Sequence, residues 1–200
     1  VELSGNRYRR DDDALVLFDV PERCTVEITT RVDPTANQAL MGLYKSSAML
    51  CTQCEAEGFR RITAFPDRPD VLSVYTTHLV APAGRYGVLL ANGNPAARET
   101  LPDGRERATW HDPHPKPSYL FALVAGNLER VSTRFATASG KPVEIHLYTE
   151  PHNADQCDYA LDALVRAMRW DEEAYGREYD LDVFNVVAVD DFNMGAMENK

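Results

Sequence analysis

Three groups of residues in this chain of 200 have types and spacings that can do chemistry. The first is Gly195-Ala196-Met197-Glu198-Asn199, where a carboxylate and an amide follow residues with almost no side chain. Small residues let another backbone approach, as a peptide does when it pairs with a sheet edge, and a carboxylate just beyond can hold a cation at a fixed distance from that peptide. A solvated loop acid is the plain alternative for Glu198. The second group is Cys51-Thr52-Gln53-Cys54-Glu55, a CxxC that carries an amide inside it and a carboxylate directly beyond. CxxC can hold zinc or run disulfide exchange, but zinc needs a second pair, and Cys24 and Cys157 stand alone. Disulfide exchange needs a strand-to-helix setting, and the surroundings here read as β, so two buried, inert thiols are the favoured reading. The third group is His111 and His114. Pro113 and Pro115 rule out the helix that a zinc-protease histidine pair requires, so both are expected in a turn or on the surface. His78 and His146 fall in strand patterns and read as structural.

The elements that must position these groups follow from periodicity. Val183 to Val189 is a short apolar run rich in β-branched residues and reads as a buried strand, after which Asp190, Asp191 and Asn193 favour a turn and Met194 leads into the first group. Leu15–Val20, Cys24–Val32, Val71–Val80 and Tyr86–Ala91 are strand candidates, and Leu101–Arg105 is a hairpin turn leading into Arg107–Trp110. Strands at this spacing predict an antiparallel sandwich or curved sheet. Pro113, Pro115 and Pro117 make a stiff extended segment that feeds Tyr119–Gly126. A domain boundary is expected near Asn127, dividing the chain into 1–127 and 128–200. Beyond it, Val143–Tyr148 alternates as a strand does. Asn153 and Gln156 resemble a capping box, Cys157, Ala160, Leu161, Leu164, Val165 and Met168 recur at helical spacing, and Gly176 is a plausible stop. This part is therefore expected to run strand, helix, strand over an α/β layout.

Composition narrows the function classes. The apolar content of 44% and charged content of 26% suit a soluble globular protein. A formal charge of −10 argues against a nucleic-acid or anionic-membrane partner. Four cysteines without a dense pattern suit a reducing compartment, so a cytoplasmic location is expected. No apolar run spans a bilayer and no signal peptide is visible. Val1 is not a natural start and Lys200 follows directly on the first group, so the chain reads as a fragment.

Gly195 to Asn199 reads GAMEN, which resembles the exopeptidase signature of zinc aminopeptidases of the aminopeptidase N family. Thr52-Gln53-Cys54-Glu55-Ala56-Glu57-Gly58-Phe59-Arg60 is similar to a segment of that family's N-terminal β-domain. The prolines, the Tyr119–Gly126 segment and Trp170-Asp171-Glu172-Glu173 resemble its bacterial alanyl aminopeptidase branch. The resemblance covers nearly the whole chain. It implies an antiparallel β-sandwich or saddle lacking its first strands, followed by the α/β start of a thermolysin-like catalytic domain.

The resemblance also implies roles. Glu198 would grip the free α-amino group of a peptide, Gln53 and Glu55 would complete that site from the β-domain, Gly195 and Ala196 would line the substrate backbone, and Met194 would cushion the first side chain. Met197 and Asn199 belong to the same substrate-binding stretch. Family members that favour epoxide hydrolysis carry Gln where Glu55 stands, so Glu55 implies aminopeptidase work. The expected partners are peptides with a free N-terminus, and a monomer is expected. One zinc ion is implied as cofactor, but HExxH is absent from these residues, so its ligands, the catalytic Glu and the transition-state Tyr are expected beyond Lys200. The chain by itself is expected neither to bind zinc tightly nor to hydrolyse peptides. The competing class is a non-catalytic β-sandwich interaction module.

Overall fold

The computed structural model describes residues 7–11 and 14–200. A short hairpin of β1 (Tyr8–Arg10) and β2 (Leu15–Leu17) comes first. β3 (Gly42–Ser46) and β4 (Met49–Gln53) form a second hairpin, followed by β5 (Ser73–Pro82), β6 (Val88–Ala91), β7 (Asn94–Thr100), β8 (Arg105–Lys116) and β9 (Leu123–Gly126). They make two antiparallel sheets, one ordered β3-β4-β9-β6 and the other β5-β8-β7. Both contribute to one core, with Tyr44, Met49, Leu89, Leu90 and Val124 from the first and Leu79, Ala108 and Trp110 from the second. The Trp110 indole N–H donates to the Leu89 carbonyl at 3.0 Å, so its one polar atom is satisfied where the ring is buried. Each such side chain contributes roughly 1.5–3 kcal/mol by leaving water.

After residue 127 come β10 (Glu129–Ala136), β11 (Pro142–Thr149), helix α1 (Asp158–Tyr175) and β12 (Val183–Val187). Their sheet is ordered β10-β11-β12, with β11 and β12 parallel, which is the strand, helix, strand arrangement that the helical spacing predicts. Leu161 and Met168 of α1 bury against Phe135, Val143, Ile145 and Leu147. Gly176 ends the helix in a left-handed conformation at φ 62°, its N–H donating to the Glu172 carbonyl.

The structure corrects three expectations. Cys24–Val32 alternates but forms no strand. No described strand lies beside it, Val26, Ile28 and Val32 stay exposed, and it is tied by the Thr30 hydroxyl to the Ile62 carbonyl. Asn153 and Gln156 do not cap α1. Pro151 opens a 3₁₀ turn through Gln156, Asn153 Oδ1 accepts from Gln156 Nε2, and α1 begins only after Cys157. His111 and His114 lie in strand β8 instead of a turn, although the exposed His111 does face the surface. Pro113 and Pro115 are inside the same strand. β8 is central, but its pairing with β7 ends at His111, so the prolines fall where no ladder bond is lost on that side.

Gly93, between β6 and β7, shows how tightly the two sheets meet. It has φ +88°, and a Cβ there would sit 2.1 Å from the His111 carbonyl oxygen. Gly104, in the β7–β8 turn, has φ +80° with nothing within 4 Å of a Cβ. Gly104→Ala should therefore cost about 1–2 kcal/mol from the left-handed backbone alone. Gly93→Ala should cost roughly 1–3 kcal/mol more, because the backbone of β8 must give way. Denaturant unfolding of both variants checks this, and equal losses would refute the close approach.

Candidate functional site

The stretch from Asp190 to Lys200 has no regular secondary structure and is held at both ends by residues distant in sequence. At its start, the Tyr44 hydroxyl donates to the Asp191 carbonyl at 2.9 Å. Ser46 Oγ donates to Asp191 Oδ2 and accepts from the Asp191 N–H, both at 3.0 Å. Asn193 Nδ2 donates to the Ala39 carbonyl at 2.9 Å. Tyr44 is fully buried, and burial, with Cys51 and Asp191 beside it, pushes its hydroxyl far above the ordinary range, so it serves only as a neutral donor.

At the other end, the Asn199 carbonyl accepts from Asn92 Nδ2, and Asn199 Nδ2 faces the carbonyls of Leu120 and Phe121 at 3.3 and 3.5 Å. The Lys200 ammonium pairs with Asp180 and lies 5.7 Å from the centre of the Tyr179 ring. Asp180 also meets His114 Nε2 at 3.3 Å. Burial raises the Asp180 carboxyl, but Lys200 and His114 outweigh it and hold it below the usual carboxylate range. Between the two ties, residues 194–198 make no hydrogen bond to another described residue. A Cβ on Gly195 would meet nothing within 4 Å.

This span borders a cleft of about 590 Å³ between β12 and the β3-β4-β9-β6 sheet. Gly195, Ala196, Met197, Glu198 and Asn199 all line it, facing Tyr44, Cys51, Thr52 and Asn92. Gln53, Glu55 and Met194 stand outside that lining. Gln53 ends β4, one residue past Thr52, and is fully buried; its Nε2 reaches the Glu55 carbonyl at 3.4 Å while its Oε1 has no partner. A buried acceptor left unmade costs about 1–3 kcal/mol, so it marks a place where a donor is wanted. Glu55 is partly exposed, Glu198 and Met194 are exposed, and neither glutamate has an ion-pair partner among the described residues.

The CxxC does not add reactivity. Cys51 and Cys54 are buried and free; burial raises both thiols, with Cys54 pushed up to about 12 and Asp67 adding to it. Among the described residues no group of three or more His, Cys, Asp or Glu could hold a metal ion. The donor set here does not fit a zinc ion, and no chemical step is assigned to one. No helix among the described residues is long and apolar enough to cross a membrane.

Sequence reasoning missed Tyr44, Ser46, Asn92 and Asp180, whose side chains secure the stretch. Asn92-Gly93 carried only a turn signal, and nothing in the spacing of Tyr44 or Ser46 points to a residue so far along the chain.

Residues 6–120 match the Peptidase M1 N-terminal domain, and residues 159–200 match the Peptidase family M1 domain. Over 99% of its length the chain is 54% identical to the Aminopeptidase N of Caulobacter vibrioides, covering 23% of that protein. Over 96% it is 51% identical to the Aminopeptidase N of Escherichia coli, covering 22%. Among solved structures, that of Legionella pneumophila aminopeptidase A in complex with aspartic acid superposes with a TM-score of 0.86 at 37% identity, over 96% of this chain and 23% of that one. The chain thus spans less than a quarter of the length of these relatives.

Proposed function

We propose, because this chain belongs to the peptidase M1 family, that it is part of a zinc-dependent aminopeptidase and supplies the site that recognises the substrate's α-amino group. The observation that carries the reading is the span 194–198, tied at both ends yet making no hydrogen bonds of its own along the cleft. Its free backbone groups suit an extended peptide laid beside it. Glu198 and Glu55 supply charge for a terminal ammonium, and Gln53 Oε1 supplies a neutral acceptor, which matches three N–H donors with three oxygens. An internal peptide bond offers no such cation, so the site measures one residue from a free N-terminus. Gly195 and Ala196 give the substrate backbone room, and Met194, Met197 and Asn199 complete the stretch.

In this reading zinc is held by residues other than those of this chain, which supplies recognition of the amine. The protein acts on peptides and has no nucleic-acid partner, in keeping with its charge of −10. Four free cysteines support a cytoplasmic location. We place the division between the β-domain and the thermolysin-like domain near Asn127, which lies between β9 and β10, and the two family matches fall on either side of it.

The test compares an alanyl anilide with its N-acetyl counterpart on the full-length protein, with and without a chelator. Release of aniline only from the free amine, abolished by the chelator, is the expected result. Turnover of the acetylated substrate at a similar rate would overturn the amine site. No turnover of either would favour a non-catalytic binding module.

A further inference from the structure

We infer that Asn92 is a positioning residue for substrate recognition, spanning the gap between the strand that carries Gln53 and the stretch that carries Glu198. The inference rests on the aminopeptidase reading above. Asn92 sits between β6 and β7 and is 8% exposed. All of its amide is used. Nδ2 donates to the Leu120 carbonyl at 2.9 Å and to the Asn199 carbonyl, while Oδ1 accepts the Ala122 N–H at 2.7 Å. These partners fix which way the amide points, since two carbonyls must meet nitrogen and an N–H must meet oxygen.

The bonds form a relay. Glu198 is followed by Asn199, whose carbonyl rests on Asn92. Asn92 grips both sides of the 120–122 segment, and the next N–H, that of Leu123, donates to Thr52 Oγ1 at 2.9 Å. Thr52 is followed by Gln53. Each end of the relay is thus one residue from a group proposed to hold the ammonium. Gly93, the next residue, lies against the β8 backbone, where an added Cβ would sit 2.1 Å from the His111 carbonyl oxygen. Asn92 is not itself one of those groups. Its effect is to set their separation, and an error near 1 Å in such a placement can cost on the order of 10²-fold in rate.

The experiment is a double-mutant cycle on the full-length enzyme, reading kcat and KM on the alanyl anilide for Asn92→Ala, Glu198→Gln and the pair. Asn92→Ala should lower kcat/KM by on the order of 10²-fold. Placed on top of Glu198→Gln, it should lower it by no more than about threefold further, because it acts through the placement of Glu198. Asn92→Asp, which keeps the side-chain shape and the acceptor for Ala122, should show the same coupling and serves if Asn92→Ala does not fold. Independent, multiplying effects, or an unchanged kcat/KM for Asn92→Ala, would overturn the inference. An unchanged kcat/KM for Glu198→Gln would mark failure of the amine-site reading itself, and this inference would fall with it.

Discussion

Replacing Glu198 by Ala in the full-length enzyme should lower kcat/KM on aminoacyl amides by about 10²–10³-fold, a loss of ~3–4 kcal/mol of transition-state stabilisation. A free α-amino group has a pKa of about 8 and is largely an ammonium at neutral pH. Removing one carboxylate from an ammonium leaves a donor unpaired and a charge less well balanced, and once the substrate covers the cleft that imbalance is no longer screened by water. Glu198 is exposed and has no ion-pair partner among the described residues, so the variant should fold as the parent does and the loss should be confined to catalysis. Glu198→Gln keeps an acceptor and loses the charge, so it should fall between. Because the attraction needs the charged amine, the ratio of parent to variant kcat/KM should shrink as pH rises through the substrate's amine pKa. Full activity of Glu198→Ala on free N-termini would remove Glu198 from the site, and a ratio independent of pH would mean that the carboxylate does not meet the ammonium.

Much of the scaffold behind that prediction was legible because its signals are local. Leu161, Leu164, Val165 and Met168 repeat at helical spacing, and they are the face of α1 turned to the second core. Leu101 to Arg105 reads as a turn, and it joins β7 to β8, with the Leu101 N–H donating to the Arg105 carbonyl at 2.7 Å. Local signals failed where a neighbour decides the outcome. Cys24–Val32 has the alternation of a strand, yet alternation cannot supply the adjacent strand that a ladder requires. Asn153 has the spacing of a cap, but Pro151 begins a 3₁₀ turn ahead of it and shifts where α1 can start. The ties on the stretch 190–200 were the least legible of all. Ser46 and Asp191 bond in both directions across more than a hundred residues, and serine carries no mark in sequence of so distant a partner. The short motif was readable as a recognition element, whereas the residues that hold it in place are defined only by the fold.

The largest expected effect on stability belongs to a buried ion pair on β8. Asp112 and Lys116 lie on β8 with their side chains almost wholly buried and ion-paired to each other. Asp112 also accepts the His114 N–H at 3.0 Å. Taking two charges out of water is costly, and their attraction in a low-dielectric setting roughly repays that cost only while both are present. Lys116→Ala leaves the Asp112 carboxylate buried with one backbone donor and no counter-charge, so it should cost about 3–5 kcal/mol of stability. Asp112→Asn combined with Lys116→Met removes both charges at nearly constant volume, and the new amide's oxygen still takes the His114 N–H. That double variant should lie within about 2 kcal/mol of the parent in either direction, recovering most of what Lys116→Ala loses. Denaturant unfolding of the single and double variants measures the difference. If Lys116→Ala cost less than about 1 kcal/mol, the range of an exposed pair, the ammonium would have to reach water and the buried-pair account would be wrong.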